Sequence, residues 1–159
     1  MTVSLFLGKE EVQMQKAQYG ILRFAKYKGP EISNIEAHNE RKKEKYASNP
    51  DIDNNRRNLN YHFIEPVGKY RAESNRLIEE YGCRTRKDSV RVVEVLITAT
   101  PEFFKGKKKS EIRAYFQTAL EFIEKYQDSE TILSAVVHMD EKTPHMHLSF
   151  VPITQDGRL

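Results

Sequence analysis

The sequence predicts an α+β domain in which a largely antiparallel β-sheet is flanked by α-helices. Short apolar segments rich in β-branched residues alternate along the chain with segments of helical periodicity. The predicted connections are short, and the last two predicted strands are joined by a polar stretch that suits a hairpin. The 159 residues suffice for one domain with a sizeable core.

The first half of the chain contains two predicted strands and two predicted helices. Gly29-Pro30 closes the first strand, Glu36 stands where it can cap the first helix, and Gly82 ends the second helix. Asn, Asp, Ser and Pro dominate the stretch between the first helix and the second strand, which is typical of a loop. The expected elements are a strand over residues 19–28, a helix from residue 33 or 34 to about Tyr46, a loop over 48–55, a strand over 59–64 and a helix over 69–81.

The second half begins with the strongest strand pattern, Val90 to Ala99. Thr100-Pro101-Glu102 then predicts a short turn or helix around Phe103 and Phe104. From Ser110 the apolar residues recur at helical spacing until about Gln127, which predicts a long helix with one face in the core. Two strands follow, one leading into His138 and one containing His145 and His147.

Composition and termini limit the class of protein. Charged residues make up 31% of the chain and apolar residues 38%, as in a polar globular domain. Cys83 is the only cysteine, so an intrachain disulfide and a cysteine-based zinc site are excluded, which fits a cytoplasmic location. Neither a convincing signal peptide nor a membrane-length apolar span is present. Residues 1–18 lack strand alternation after Gly8, and we expect an N-terminal extension, either a flexible arm or an upstream stretch before a start at Met14, ahead of a domain over 19–159.

Three of the five histidines lie within ten residues, at His138, His145 and His147. Alternate side chains of a strand share a face, so His145 and His147 project together. A chain reversal before them would return His138 to their side. Three imidazoles on adjoining strands would hold a divalent metal and leave other positions open for water and substrate. The alternative interpretation is a set of solvated hairpin histidines.

A second group of chemically active residues stands about a hundred residues earlier, at His38 and Arg41. On a helix, residues three apart share a face, so the two side chains could address one substrate group together. An imidazole nitrogen can act as a nucleophile, and a guanidinium can hold a phosphate beside it. Taken alone, a helical histidine near an arginine is more often an ordinary surface feature.

Basic residues are clustered although the net charge is only +3. We expect these clusters to form one electropositive face suited to nucleic acid. The clusters are Arg41-Lys42-Lys43, Arg56-Arg57, Arg84-Thr85-Arg86-Lys87 and Lys105-Gly106-Lys107-Lys108-Lys109.

These motifs together resemble the successive motifs of the MobV (Mob/Pre) plasmid mobilisation relaxases, which are histidine-hydrophobe-histidine (HUH) nucleases. The resemblance covers residues 19 to about 155, and its last motif is highly specific. The segments that carry it are His38-Asn39-Glu40-Arg41, Asn49-Pro50-Asp51-Ile52-Asp53 with Arg56, Leu59-Asn60-Tyr61, the basic stretch Arg84 to Val90, and His138-Met139-Asp140-Glu141-Lys142-Thr143-Pro144-His145-Met146-His147.

The resemblance implies a site- and strand-specific DNA nicking and joining enzyme that acts at an origin of transfer through a covalent protein–DNA intermediate. His138, His145 and His147 would bind Mn²⁺ or Mg²⁺, although three histidines alone would suggest zinc or another transition metal first. His38 would be the nucleophile, with Tyr61 and Tyr46 as alternatives. Glu141, with Asp140, would orient or deprotonate the nucleophile, and Arg41 would hold the phosphate.

The implied partners are single-stranded or supercoiled origin DNA and conjugation coupling proteins. Relatives normally continue beyond the histidine motif, so we expect this chain to lack a C-terminal part of the family. The alternatives are a fragment that binds origin DNA without cleaving it and a three-histidine metallohydrolase acting on a different substrate. The residues expected to contact DNA are Lys42, Lys43, Arg56, Arg57, Asn60, Tyr61, Arg84, Arg86 and Lys87.

Overall fold

The computed structural model describes residues 3–7, 10–14, 17–43 and 49–159. Its centre is a five-stranded sheet in which every neighbouring pair of strands is antiparallel, in the order β3-β5-β7-β6-β4. The predicted antiparallel α+β class is therefore confirmed. The strands are β1 (Val3–Leu7), β2 (Glu10–Met14), β3 (Gly20–Tyr27), β4 (Tyr61–Ile64), β5 (Val92–Ala99), β6 (Ile132–His138) and β7 (His145–Phe150).

The described part of the chain contains four α-helices, and three of them match the predicted positions closely. Two short 3₁₀ helices, Asn54–Leu59 and Ser129–Thr131, precede β4 and β6. Leu59, expected to start a strand, therefore ends a 3₁₀ helix instead. The α-helices are α1 (Glu31–Asn39), α2 (Tyr70–Glu80), α3 (Pro101–Phe104) and α4 (Lys109–Glu124).

The first helix starts earlier and ends earlier than the sequence predicts. Pro30 already has helical dihedral angles and serves as the N-cap, so α1 begins at Glu31. The helix ends at Asn39 because Arg41 adopts a left-handed conformation, with φ of 51°. The backbone N–H of Lys42 then donates to the Ala37 carbonyl at 2.9 Å, which closes a Schellman turn. Tyr46 lies outside the described residues.

The N-terminal segment contains paired strands, and β1 and β2 form a separate two-stranded antiparallel sheet. The expectation that no strand follows Gly8 is therefore wrong for Glu10–Met14. The boundary between residues 1–18 and the domain over 19–159 stays a prediction. None of the described helices is long and apolar enough to cross a membrane.

The sheet has two unlike faces because side chains alternate along each strand. One face, here called the α4 face, carries Val95, Met146 and Leu148 and packs against Phe116 and Leu120 of α4. The opposite face, here called the histidine face, carries Glu94, His138 and His147. At its other end the histidine face is covered by α1 and α2, whose apolar residues pack on β-strand residues in a second cluster. That cluster contains Ile32, Tyr70, Leu77, Ile78, Val92, Leu133, Val151 and Ile153.

A buried polar contact fixes the end of α1 to the edge strand β4. The Nε2 atom of His62 lies 2.7 Å from Oε1 of Glu40, and Ser134 Oγ donates to the same oxygen at 3.3 Å. Hydrogen bonding to Glu40 raises the pKa of His62, and the nearby Glu65 adds to this effect. The charged form of His62 therefore holds Glu40, at the end of α1, against the sheet.

We predict that His62→Gln lowers the free energy of unfolding more near pH 6 than near pH 9. A histidine pKa raised by folding stabilises the protein fully below the unfolded value near 6.5, and the gain is lost as pH rises through the folded pKa. The free energy of unfolding of His62→Gln should lie about 1 kcal/mol below that of wild type near pH 6, measured by urea unfolding. A difference that stays constant between pH 6 and pH 9 would contradict a charged Glu40–His62 pair.

Candidate metal and nucleophile site

The hairpin between β6 and β7 brings the three predicted metal ligands together on the histidine face. His138 pairs directly with His145, and Val136 of β6 pairs with His147. The ring centroids of His138, His145 and His147 lie 4.8 to 5.2 Å apart. Sequence spacing predicts this arrangement because a reversal at residues 139–144 places both ends of the hairpin side by side.

Each of the three imidazoles is oriented by a hydrogen bond through one ring nitrogen. His138 Nε2 donates to the carbonyl of Asn39 at 2.7 Å, and His147 Nδ1 donates to Glu94 Oε1 at 2.6 Å. His145 Nδ1 donates to the Thr143 carbonyl at 2.8 Å. Carbonyl and carboxylate oxygens only accept, so these nitrogens carry a proton, and the other nitrogens of His138 and His147 keep their lone pairs.

The remaining nitrogens form a donor set that fits a divalent metal. His138 Nδ1 and His147 Nε2 are buried and make no hydrogen bond among the described residues. Burial lowers the pKa of His138 to about 4 and lowers the pKa of His147 as well, which favours the neutral imidazoles that metals bind. Two groups of side chains have ligand atoms within 4.8 Å of one another, and both contain His138. They are His38, His138 and His147, and His138, Glu141 and His145.

Glu141 stands among these ligand atoms and adds a negative charge. Its Oε2 atom lies 2.9 Å from His145 Nε2 and 3.7 Å from His138 Nδ1. The Nε2 atom of His145 therefore differs from the unpaired nitrogens of His138 and His147, because it already lies within hydrogen-bonding distance of a carboxylate oxygen. Burial raises the pKa of Glu141, but the imidazoles of His138 and His145 and the amide of Asn49 outweigh burial and hold its pKa below the ordinary value.

Asn39 and Glu94 are site residues that the sequence interpretation missed. Asn39 accepts from His138 through its carbonyl and donates from Nδ2 to Glu94 Oε2 at 3.0 Å. Glu94 holds His147 through its other oxygen. Burial raises the pKa of Glu94, but hydrogen bonds from His147 and Asn39 outweigh it and lower the pKa. The available signal was a carboxylate in the middle of the apolar strand Val92–Ala99.

His38 lies beside the histidine cluster. Its ring centroid is 5.5 Å from that of His147 and 6.1 Å from that of His138. Burial lowers the pKa of His38, and the positive charge of Arg41 lowers it further. A lowered pKa favours the neutral imidazole, which is the nucleophilic form. The two constellations found a hundred residues apart in the sequence therefore form one site.

Arg41 reaches this site from a turn, not from the helix face that the sequence predicts. Its guanidinium forms a bidentate pair with Asp140, with both contacts at 2.9 Å, and also donates to Glu141 Oε2 at 2.9 Å. The Nη1 atom of Arg41 also donates to the His38 carbonyl at 3.0 Å. The expected role of Arg41 as the phosphate-holding group does not fit these contacts, because they use most of its donors within the protein.

Asn60 is likewise engaged within the protein. Its amide donates to Asp140 Oδ2 at 3.0 Å and accepts from the Met139 backbone N–H at 2.7 Å. Asn60 thus positions Asp140, and a direct DNA contact through the same amide atoms is disfavoured.

Tyr61 lies on the wrong face of the sheet to be the nucleophile. It pairs with Val137, whose side chain belongs to the core of the α4 face, and its ring centroid is 5.6 Å from that of Phe63. The guanidinium of Arg113 lies 4.8 Å from the centre of the Tyr61 ring. The sheet itself separates this hydroxyl from His147. Tyr46 lies outside the described residues.

The basic clusters do not form the single face that the sequence predicts. Lys43 and Arg56 are exposed and Arg57 is half-buried near the histidine hairpin, whereas Lys42 forms an ion pair with Glu36. Residues 84–87 are exposed and precede β5, at the end of the sheet away from the histidines. Arg84 and Arg86 line a pocket of about 910 Å³ there together with Arg158. Residues 105–108 lie between α3 and α4, and Lys109 is the first residue of α4, in the layer behind the sheet.

Comparisons with known proteins agree with this geometry. Residues 16–159 match the model of the Mob_Pre family, described as plasmid recombination enzyme. A plasmid recombination enzyme type 1 of Staphylococcus aureus is 39% identical over 146 residues, covering 89% of this chain and 36% of that protein. A plasmid recombination enzyme of Lactiplantibacillus plantarum is 37% identical over 145 residues, covering 89% of this chain and 40% of that protein. This chain thus spans well under half the length of these relatives.

The fold has a solved counterpart. The MobM relaxase domain, in a manganese-bound crystal structure with oriT DNA of plasmid pMV158, matches with a TM-score of 0.80 and 31% identity. The match covers 87% of this chain and 72% of that domain. A second manganese-bound structure of the same domain with a 22-nucleotide oriT DNA gives a TM-score of 0.78. The protein belongs to the Mob_Pre family of plasmid recombination enzymes, as the match over residues 16–159 shows.

Proposed function

We propose that this chain is the catalytic region of a relaxase that nicks and rejoins one DNA strand at a plasmid origin of transfer. The observation that carries the proposal is the position of His38, whose imidazole lies beside those of His138 and His147, two rings that each keep one buried nitrogen without a hydrogen bond among the described residues. The MobM relaxase domain, which matches this fold, was solved with both oriT DNA and manganese. A plasmid substrate places the activity in the cytoplasm.

The proposed reaction exchanges a P–O3′ bond of the DNA for a P–N bond to the protein. A ring nitrogen of His38 attacks the scissile phosphorus, the N–P bond forms, and the P–O3′ bond breaks as the 3′ oxygen leaves and takes up a proton. The 5′ phosphate then remains on His38 as a phosphoramidate. Attack by a 3′ hydroxyl on the same phosphorus reverses these steps and rejoins the strand.

His138, His145 and His147 would hold the divalent metal, with Glu141 near enough to contribute. A bound divalent ion, Mn²⁺ or Mg²⁺, supplies Lewis-acid stabilisation of the negative charge on the phosphate. Glu94, Asn39 and Thr143 keep the proton-bearing nitrogens of the three rings turned away from that position. The protein thus provides a preoriented, partly dehydrated donor set.

Arg41 and Asp140 act as positioning residues in this proposal. Arg41 connects the His38 carbonyl to Asp140 and Glu141, so the turn that carries the nucleophile is fixed to the hairpin that carries the metal ligands. Phosphate contacts then come from other cations. Coupling proteins remain proposed partners of the longer relaxase.

The proposal predicts a metal-dependent covalent adduct that His38→Ala abolishes. With Mn²⁺ and a labelled oriT strand of pMV158, wild type should give a protein–DNA band on a denaturing gel. The band should fall by on the order of 1,000-fold in His38→Ala and with EDTA, and it should persist in Tyr61→Phe. Because an N–P bond hydrolyses in acid and survives alkali, acid should release the DNA.

Three outcomes would contradict parts of this assignment. An adduct that remains in His38→Ala would exclude His38 as the nucleophile. Binding of the oriT strand without an adduct in any divalent metal would favour the non-cleaving alternative. Hydrolysis of a non-DNA phosphate ester without oriT binding would favour a different metalloenzyme.

We predict that Glu94→Gln weakens Mn²⁺ binding about 10- to 100-fold, as loss of a carboxylate behind a metal-binding histidine usually does. Isothermal titration or electron paramagnetic resonance of the apoprotein with Mn²⁺ measures this without DNA. The matched control is Glu80→Gln, an exposed glutamate on α2, which should bind as wild type does. Unchanged affinity in Glu94→Gln would show that Glu94 does not orient a metal ligand.

A further inference from the structure

The histidine site is closed on one side and open on the other. The end of α1 and its turn cover it toward β6 and β4, where Asn39 contacts His138 and Glu40 contacts His62. Asp140 and Glu141 close it at the hairpin. Within the described residues, the uncovered direction runs across β5 toward the edge strand β3.

Burial along β5 marks where this opening begins. Residues from Val92 to Val95 are buried on both faces, but Leu96 and Thr98 are only partly covered, while Ile97 and Ala99 on the α4 face are buried. Leu96 and Thr98 share the histidine face with Glu94. The α1 and α2 layer therefore stops before this part of the sheet.

Strand β3 extends the open area by two residues. Arg23 pairs with Leu96 and Ile21 pairs with Thr98, so both side chains lie on the histidine face. We name the surface of Ile21, Arg23, Leu96 and Thr98 the β3 shelf. Leu96 in turn pairs with His147, which places Arg23, Leu96 and His147 in one row across three strands.

Arg23 is the cation of this shelf. It is exposed, and no ion pair or hydrogen bond to it is present among the described residues. Two strand spacings separate the backbones of Arg23 and His147, or about 10 Å. An arginine side chain extended along that gap would meet a group bound beside the metal ligands. Arginine also matches a phosphate with paired donors.

We propose that the β3 shelf binds the nucleotide next to the scissile phosphate, with Arg23 on that nucleotide's phosphate and Ile21 and Leu96 against its sugar or base. The ligand class is a single-stranded DNA phosphodiester, and this inference rests on the proposed nicking function. Among the described residues, the side toward β3 is the one left open for a DNA strand to approach His38, because the end of α1, its turn and the β6–β7 hairpin occupy the others. The phosphate contact is independent of base sequence, since a phosphate group is the same at every nucleotide.

The test compares Arg23→Gln with Lys26→Gln, an exposed cation of the same strand. Lys26 pairs with Val93 and so lies on the α4 face. The probe is the 22-nucleotide oriT strand of pMV158, with binding measured by fluorescence anisotropy over a range of salt concentrations. Arg23→Gln should bind on the order of tenfold more weakly, and the slope of log affinity against log salt should fall by about 0.7. Lys26→Gln should match wild type.

A scan with single methylphosphonate linkages then locates the contact. One linkage beside the scissile position should weaken wild-type binding but leave Arg23→Gln unaffected, because the same charge pair is already lost. Equal binding by Arg23→Gln and wild type, or parallel profiles at every linkage, would overturn the shelf while leaving adduct formation through His38 intact. Failure of wild type to bind the oriT strand or form an adduct would instead overturn the proposed function.

Discussion

The rest of the site depends on the attachment of the end of α1 to the two histidine strands through Asn39. Its carbonyl accepts from His138 on β6, and its side chain donates to Glu94, which holds His147 on β7. One residue thus sets the tautomer of one metal-ligand candidate and supports the carboxylate behind another. Because Asn39 follows His38 directly, the same contacts fix the proposed nucleophile above the cluster.

The turn after Asn39 combines local strain with compensating contacts. A left-handed conformation costs a non-glycine residue roughly 1–2 kcal/mol, and Arg41 adopts it with φ of 51°. Glycine would fill this position in a Schellman turn without strain, but glycine could not form the bidentate pair with Asp140. The conformation therefore ends the helix before the turn and places a guanidinium against the β6–β7 hairpin.

Charge distribution divides the described part of the molecule into a site with buried carboxylates and a surface that would meet DNA in the proposed function. Asp140 and Glu94 are buried; Asp140 is paired with Arg41, and Glu94 is paired through hydrogen bonds from His147 and Asn39. Buried charges of this kind are stable only when they are paired. Cations already used in this way, such as Arg41, are poor candidates for phosphate contacts, which shifts that role to exposed residues outside the buried network.

From residue 19 onward, the sequence by itself determined the order of the main helices and strands, the antiparallel sheet and the histidine hairpin, because side-chain periodicity and short loops are local properties. It also identified His38, although contacts between residues a hundred positions apart cannot be read from spacing. Only the tertiary structure decided that Glu94 supports His147, that Arg41 pairs with carboxylates and that Tyr61 lies behind the sheet. Those outcomes depend on strand register and on one left-handed residue, since a shift of one residue reverses the face of every side chain.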